Sequence, residues 1–157
     1  MFKKYLILFF ISMVPLIELR GSTAMIAGMD VSVIPAYLCC IVGNMVPVPL
    51  IFFFARKVLL WGANKKFIGK FFTYCLKKGH RGGEKLQAKA GKRGLFLALL
   101  LFVAIPIPGT GAWTGTLAAS FIDMDFKEAV LAVLLGVAIA GIIMMLVGTG
   151  VVTAFSF

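Results

Sequence analysis

Glu18 and Arg20 are opposed charges embedded in an apolar block near the start of the chain. An ionisable side chain at membrane depth costs about 2.5–3.5 kcal/mol on insertion scales, so it pairs or faces a cavity. Residues at i,i+2 point apart on a regular helix. On unwound backbone the two could pair with each other, or each could meet a partner from elsewhere in the chain. The expected chemistry is a coupling site: Glu18 binds a proton or cation, and Arg20 holds it in place or meets an anionic substrate group. The structural alternative is a static ion pair that locks two helices.

A second stretch, Pro106-Ile-Pro108-Gly109-Thr110-Gly111-Ala-Trp113-Thr114-Gly115, interrupts what would otherwise be a membrane helix. Its prolines lack N–H donors and its glycines admit backbone angles that a helix forbids. Irregular backbone at membrane depth must be buried in protein or line a wet cavity, and such breaks are where transporters commonly bind substrate. Candidate substrate ligands are Pro108, Gly109, Thr110, Gly111, Trp113 and Thr114. They supply backbone amides, two hydroxyls and an indole N–H, and a half-helix starting after the glycines would aim its positive end inward. Gly111 and Gly115 also form a G-x-x-x-G, for which close helix packing is the bland reading. A plain turn between two short helices is the other. The spacing is not that of a nucleotide-binding loop.

Nothing else in the chain points to catalysis. Asp123, Asp125 and Glu128 precede the last apolar run, where an acidic first turn complements the helix dipole; a vestibule for cations is the sharper reading. Cys39, Cys40 and Cys75 lack metal-ligand spacing, and no disulfide is expected. His80 has no second ligand nearby in sequence and reads as a solvated residue. No triad, paired catalytic carboxylates or metal cluster is present, so neither enzyme nor cofactor is expected.

These residues must be positioned by membrane helices. The chain has 157 residues, is 61% hydrophobic and has mean hydropathy +1.04. Residues 31–55 and 129–157 carry no charge, and both runs reach membrane-spanning length. The fold class expected is all-α: a polytopic integral membrane protein forming one domain over residues 1–157. The net charge is +10, and Arg56–Arg93 holds twelve Lys/Arg against Glu84 alone. A basic loop between apolar spans follows the positive-inside rule and is cytoplasmic. Nucleic-acid binding is not expected, because no reading element accompanies the charge. Met1–Ala27 has the outline of a signal peptide, but Glu18 and Arg20 fall before any small-residue cleavage site, so the segment is kept as structure.

Along the chain, residues 5–30 read as a first broken hairpin and 31–60 as a transmembrane helix, loosened by Pro47 and Pro49. Residues 61–94 form the basic loop, in which Asn64–Lys78 is an amphipathic helix suited to anionic lipid. Gly79–Gly94 reads as a Gly-rich connection with a short helical turn near Glu84–Ala90. Residues 95–122 form the second broken hairpin, and 126–155 the last transmembrane helix. Shifting the numbering by 93 brings Pro15 onto Pro108, Thr23 onto Thr116, Asp30 onto Asp123 and Gly43 onto Gly136. The order of parts repeats as well, so the chain reads as two pseudo-repeats. Two topologies fit. If each broken block crosses fully, there are four crossings. If each is a re-entrant hairpin, its arms of 10–12 residues reach roughly 15–18 Å at helical rise, and the halves are inverted.

Glu18-Leu-Arg-Gly21 together with Pro106–Gly115 resembles the bacterial small multidrug export membrane family, itself distantly similar to the DedA/VTT proteins. The resemblance covers nearly the whole chain. It departs in the first motif, where Ser22-Thr-Ala stands in place of a small residue followed by Ile-Pro, so the proline break there must come from Pro15. The resemblance implies a multi-pass protein of the bacterial inner membrane with two facing re-entrant hairpins and a transport role. Proton- or cation-coupled export of a small molecule by a homodimer is the expected function. A DedA-like lipid or lipid-carrier translocase is one alternative, and a non-transporting membrane scaffold is another.

Overall fold

A computed structural model describes residues 2–15, 17–26, 28–64, 69–107 and 110–154, and the described residues form helices with no strand. Among the described residues seven helices follow one another: α1 (Phe2–Met13), α2 (Glu18–Ile26), α3 (Val33–Met45), α4 (Pro47–Ala63), α5 (Gly69–Ala104), α6 (Ala112–Phe121) and α7 (Phe126–Ala154). Pro15 lies in the gap between α1 and α2, and Pro106 in the gap between α5 and α6, where a ring without an N–H ends a helix. Pro47 opens α4, so the long apolar run is two helices meeting at Val46, whose own N–H still bonds Val42.

Val33–Val58 and Phe126–Val147 are apolar enough and long enough to cross a membrane, with mean hydropathies of 2.2 and 3.0. They run antiparallel. Tyr37, early in α3, donates its hydroxyl to the Ala138 carbonyl, while Phe52 and Phe53 of α4 stack on Phe126 at the start of α7. The outer faces are apolar: Ile34, Leu50, Phe54 and Leu146 are all strongly exposed, an arrangement that suits lipid and not water.

The short helices fill the space between. α1 packs on α2 and α3, and α5 packs on α6 and α7. Two glycines allow the tightest of these contacts. A methyl group on Gly43 would strike Ser12 Oγ and the Phe9 carbonyl of α1, and one on Gly136 would strike Val103 and the Leu100 carbonyl of α5. These are the same two glycines that coincide under the 93-residue shift. Thr23 and Thr116, another coinciding pair, are both buried and bond back to the carbonyls of Arg20 and Ala112. Of the remaining pairs, Pro108 lies outside the described residues.

The basic segment differs from the sequence expectation. The connection expected over Gly79–Gly94, with a short helical turn near Glu84–Ala90, is helical from residue 79 to residue 90 and continuous with the helix that begins at Gly69. Glu84 to Ala90 is an unbroken run of strong helix formers, which outweighs about 1 kcal/mol for each glycine in the interior. The chain leaves helical geometry only at Gly91 (φ 67°, ψ −176°), a conformation that glycine tolerates and other residues resist. The expected start of the amphipathic helix, at Asn64–Ile68, lies partly outside the described residues. Lys70, Thr73, Tyr74 and Lys77 line one cavity.

Candidate functional site

The two breaks meet. Glu18, the first residue of α2, is 7% exposed, and its carboxylate sits on the N-terminus of α6. It accepts hydrogen bonds from the backbone N–H groups of Ala112 (3.2 Å) and Trp113 (3.0 Å). The first N–H groups of a helix have no intrahelical acceptor and carry the positive end of its dipole, so an anion there is doubly favoured. The cradle expected at the Pro-Gly motif is therefore occupied by a carboxylate from the other half of the chain. Gly111 makes this approach possible, since a Cβ at that position would overlap the Glu18 carboxyl group. Glu18 itself holds φ 48°, a left-handed conformation that costs a non-glycine residue roughly 1–2 kcal/mol and persists where surrounding contacts impose it.

Arg20 reaches the opposite kind of helix end. Its guanidinium donates to the carbonyls of Ile107 (2.6 Å), Val103 (3.1 Å) and Ile105 (3.1 Å), and to Thr110 Oγ1 (2.9 Å). These carbonyls belong to the end of α5 and the break beyond it, where the helix can no longer supply N–H donors. Thr110 completes the turn by donating to Ile105 and Ile107 (both 2.8 Å). The four acceptors of Arg20 among the described residues are neutral. It forms no ion pair with Glu18; among the described residues the ion pair present is Arg56–Asp123, at 2.5 Å. Of the two arrangements open from sequence, the structure has each charge meeting a partner from the other half.

Trp113 returns the contact. Its indole N–H donates to the Met13 carbonyl at the end of α1 (3.2 Å). Each half thus holds the carbonyl end of the other half's first arm, by Arg20 in one direction and Trp113 in the other. Thr114 is exposed and bonds weakly back to the Gly111 carbonyl (3.4 Å), so it does not join this cluster. Gly115 packs against Val103 of α5, as a G-x-x-x-G is expected to. Pro108 and Gly109 lie outside the described residues.

The acidic group before α7 divides. Asp125 caps the helix through the N–H groups of Lys127 (2.9 Å) and Glu128 (3.4 Å), whereas Asp123, at φ 58°, reaches Arg56 of α4. Among the described residues, no group of three or more His, Cys, Asp or Glu side chains could hold a metal ion.

One residue escaped the sequence reading. Asn44 is fully buried, two residues before the α3–α4 break, and neither atom of its amide has a hydrogen-bond partner among the described residues. A lone polar residue inside a charge-free span was the available signal.

Helices throughout the described residues, two of them apolar and of spanning length, with Glu18 and Arg20 gathered at helix breaks, suit a membrane protein. The chain belongs to the family described as "Putative small multi-drug export protein", whose model matches residues 18–143. The matched segment begins at Glu18 and includes Arg20 and the whole Pro106–Gly115 motif. No curated protein and no solved structure matches the chain.

Proposed function

We propose that this chain is a transporter of the bacterial inner membrane that exports a small molecule with an anionic or polar group, coupled to a proton or cation at Glu18. The observation that carries the reading is the reciprocal bonding of the two breaks: Glu18 on the α6 N-terminus, Arg20 on the α5 carbonyls and Trp113 on the α1 carbonyl. In this reading α1–α2 and α5–α6 are re-entrant hairpins that enter from opposite faces and touch tip to tip. α1, α2 and α6 have 12, 9 and 10 residues, so each is roughly 13–18 Å long at helical rise and too short for a hydrocarbon core about 30 Å thick. The antiparallel course of α3–α4 and α7 and the matched roles of Gly43 and Gly136 support an inverted repeat. The basic helix then lies on the cytoplasmic side together with Asp123, and Asp30 lies outside.

Glu18 suits a coupling role because its charge and its helix contact depend on each other. Adding a proton to a carboxylate oxygen that accepts an N–H replaces an acceptor with a donor, so proton uptake loosens α2 from α6. Arg20 carries a full charge against neutral acceptors among the described residues, a group that an anionic substrate would meet. The exposed apolar faces of α3, α4 and α7 leave room for lipid and for a second copy of the chain.

Two measurements test this. Single cysteines at positions 30 and 123, in a background lacking the native cysteines, should label from opposite sides of intact cells with an impermeant thiol reagent; labelling from one side overturns the facing hairpins. In proteoliposomes, substrate-driven proton flux should vanish in Glu18→Gln, and undiminished coupling overturns the role of Glu18.

A further inference from the structure

A cavity of about 490 Å³ opens between the apolar arm of α5 and the start of α7, lined by Lys92, Arg93, Phe96, Leu97, Lys127, Glu128 and Leu131. The two helices run parallel here: residues 92–97 face 127–131 across the cavity, and further along Leu100 and Val103 meet Gly136. Their polar ends are therefore level. The cations repeat one pattern, Lys92 with Phe96, Arg93 with Leu97 and Lys127 with Leu131, each charge standing four residues, one helical turn, before an apolar side chain. The result is a cationic rim one turn above an apolar floor. Glu128 is the one acid in the lining and leaves the rim with a surplus of two positive charges. Gly91 breaks the helix immediately before Lys92. The candidate span Phe126–Val147 begins at this level, which places the rim at the height of lipid headgroups.

We propose that this groove is a binding site for an anionic phospholipid, with its phosphate held by Lys92, Arg93 and Lys127 and an acyl chain lying along Phe96, Leu97 and Leu131. Basic pockets between membrane helices on the cytoplasmic side recognise lipid headgroups by this combination of charge and depth. The proposal rests on the membrane reading alone and not on transport, so its failure leaves the transport assay unaffected and the converse also holds.

The test is the thermal midpoint of the purified full chain in a neutral detergent, with phosphatidylglycerol or phosphatidylcholine added. Phosphatidylglycerol should raise the midpoint more than phosphatidylcholine. A Lys92→Gln/Arg93→Gln/Lys127→Gln variant should lose that difference, whereas Lys70→Gln/Lys77→Gln on the basic helix should keep it. The charge-retaining Lys92→Arg/Lys127→Arg variant should also keep it, which separates loss of binding from loss of folding. The proposal is overturned if the triple variant still distinguishes the lipids, or if the basic-helix variant loses the distinction in its place. It also fails if glycerol phosphate alone reproduces the whole effect, because the site is then a general anion site.

Discussion

The break between Met13 and Glu18 spans four residues and is followed by chemistry carried in side chains; the break between Ala104 and Ala112 spans seven and offers mainly backbone. Glu18 and Arg20 are charges on stems, and what they meet across the interface is mainly peptide: two N–H groups at one helix start and three carbonyls at one helix end, with the Thr110 hydroxyl beside them. The division is physically economical. Unravelling a helix in a membrane leaves donors and acceptors that water cannot reach. One half supplies the opened helix and the other supplies the ions that satisfy it. The breaks are therefore complementary without being copies.

The largest expected effect follows from removing the charged fork. Arg20→Met deletes four hydrogen bonds and leaves the Val103 carbonyl, on a residue 1% exposed, with one partner fewer. The loss should be about 3 kcal/mol, read from the unfolding midpoint of the purified protein in detergent. Arg20→Lys should recover only part of it, since an ammonium cannot span the same set of acceptors. A wild-type midpoint in Arg20→Met would mean that the second break stands without the first.

Next in size is the point where backbone yields to side chain. Gly111→Ala drives a methyl group into the Glu18 carboxylate and should destabilise by about 2–3 kcal/mol. If that collision is the cause, the Glu18→Ala/Gly111→Ala double variant will lose clearly less than the two single losses added together. Strict additivity would show that Gly111 answers to some other constraint.

This asymmetry also explains what could be read from the chain beforehand. Glu18, Arg20 and the Pro-Gly stretch stood out because charges and helix breakers are conspicuous among apolar residues. The long spans and the coincidence of Gly43 with Gly136 were legible for the same reason. The partners of Glu18 and Arg20 were not, because the N–H of Ala112 and the carbonyl of Val103 have no signature: every residue but proline has both groups. Helix over 69–78 and near Glu84–Ala90 is legible in the sequence, but the glycines at 79, 82 and 83 hide that the two are continuous. Asn44 was passed over because an amide is quieter than a charge, although its burial without a partner among the described residues makes it the more unusual group.

The proposed inverted repeat has its own test. Gly43→Ala and Gly136→Ala each press a methyl group against a carbonyl of the neighbouring first arm, Phe9 in one case and Leu100 in the other. If the halves share their packing, the two losses should be similar, at about 1–2 kcal/mol each by thermal unfolding. A large effect at one glycine with none at the other would confine the likeness of the halves to sequence.

The smallest expected effect tests the return contact. Trp113→Phe keeps an aromatic ring but removes the indole N–H that reaches the Met13 carbonyl, one neutral hydrogen bond worth about 1 kcal/mol. Arg20 brings a charge and four bonds to the end of α5, while Trp113 brings no charge and one bond to the end of α1, so the two caps should differ severalfold in the same unfolding assay. A Trp113→Phe loss as large as that of Arg20→Met would place equal weight on both caps. The second break would then hold the first by a side chain as firmly as it is held, and the division of labour between charge and backbone would fail.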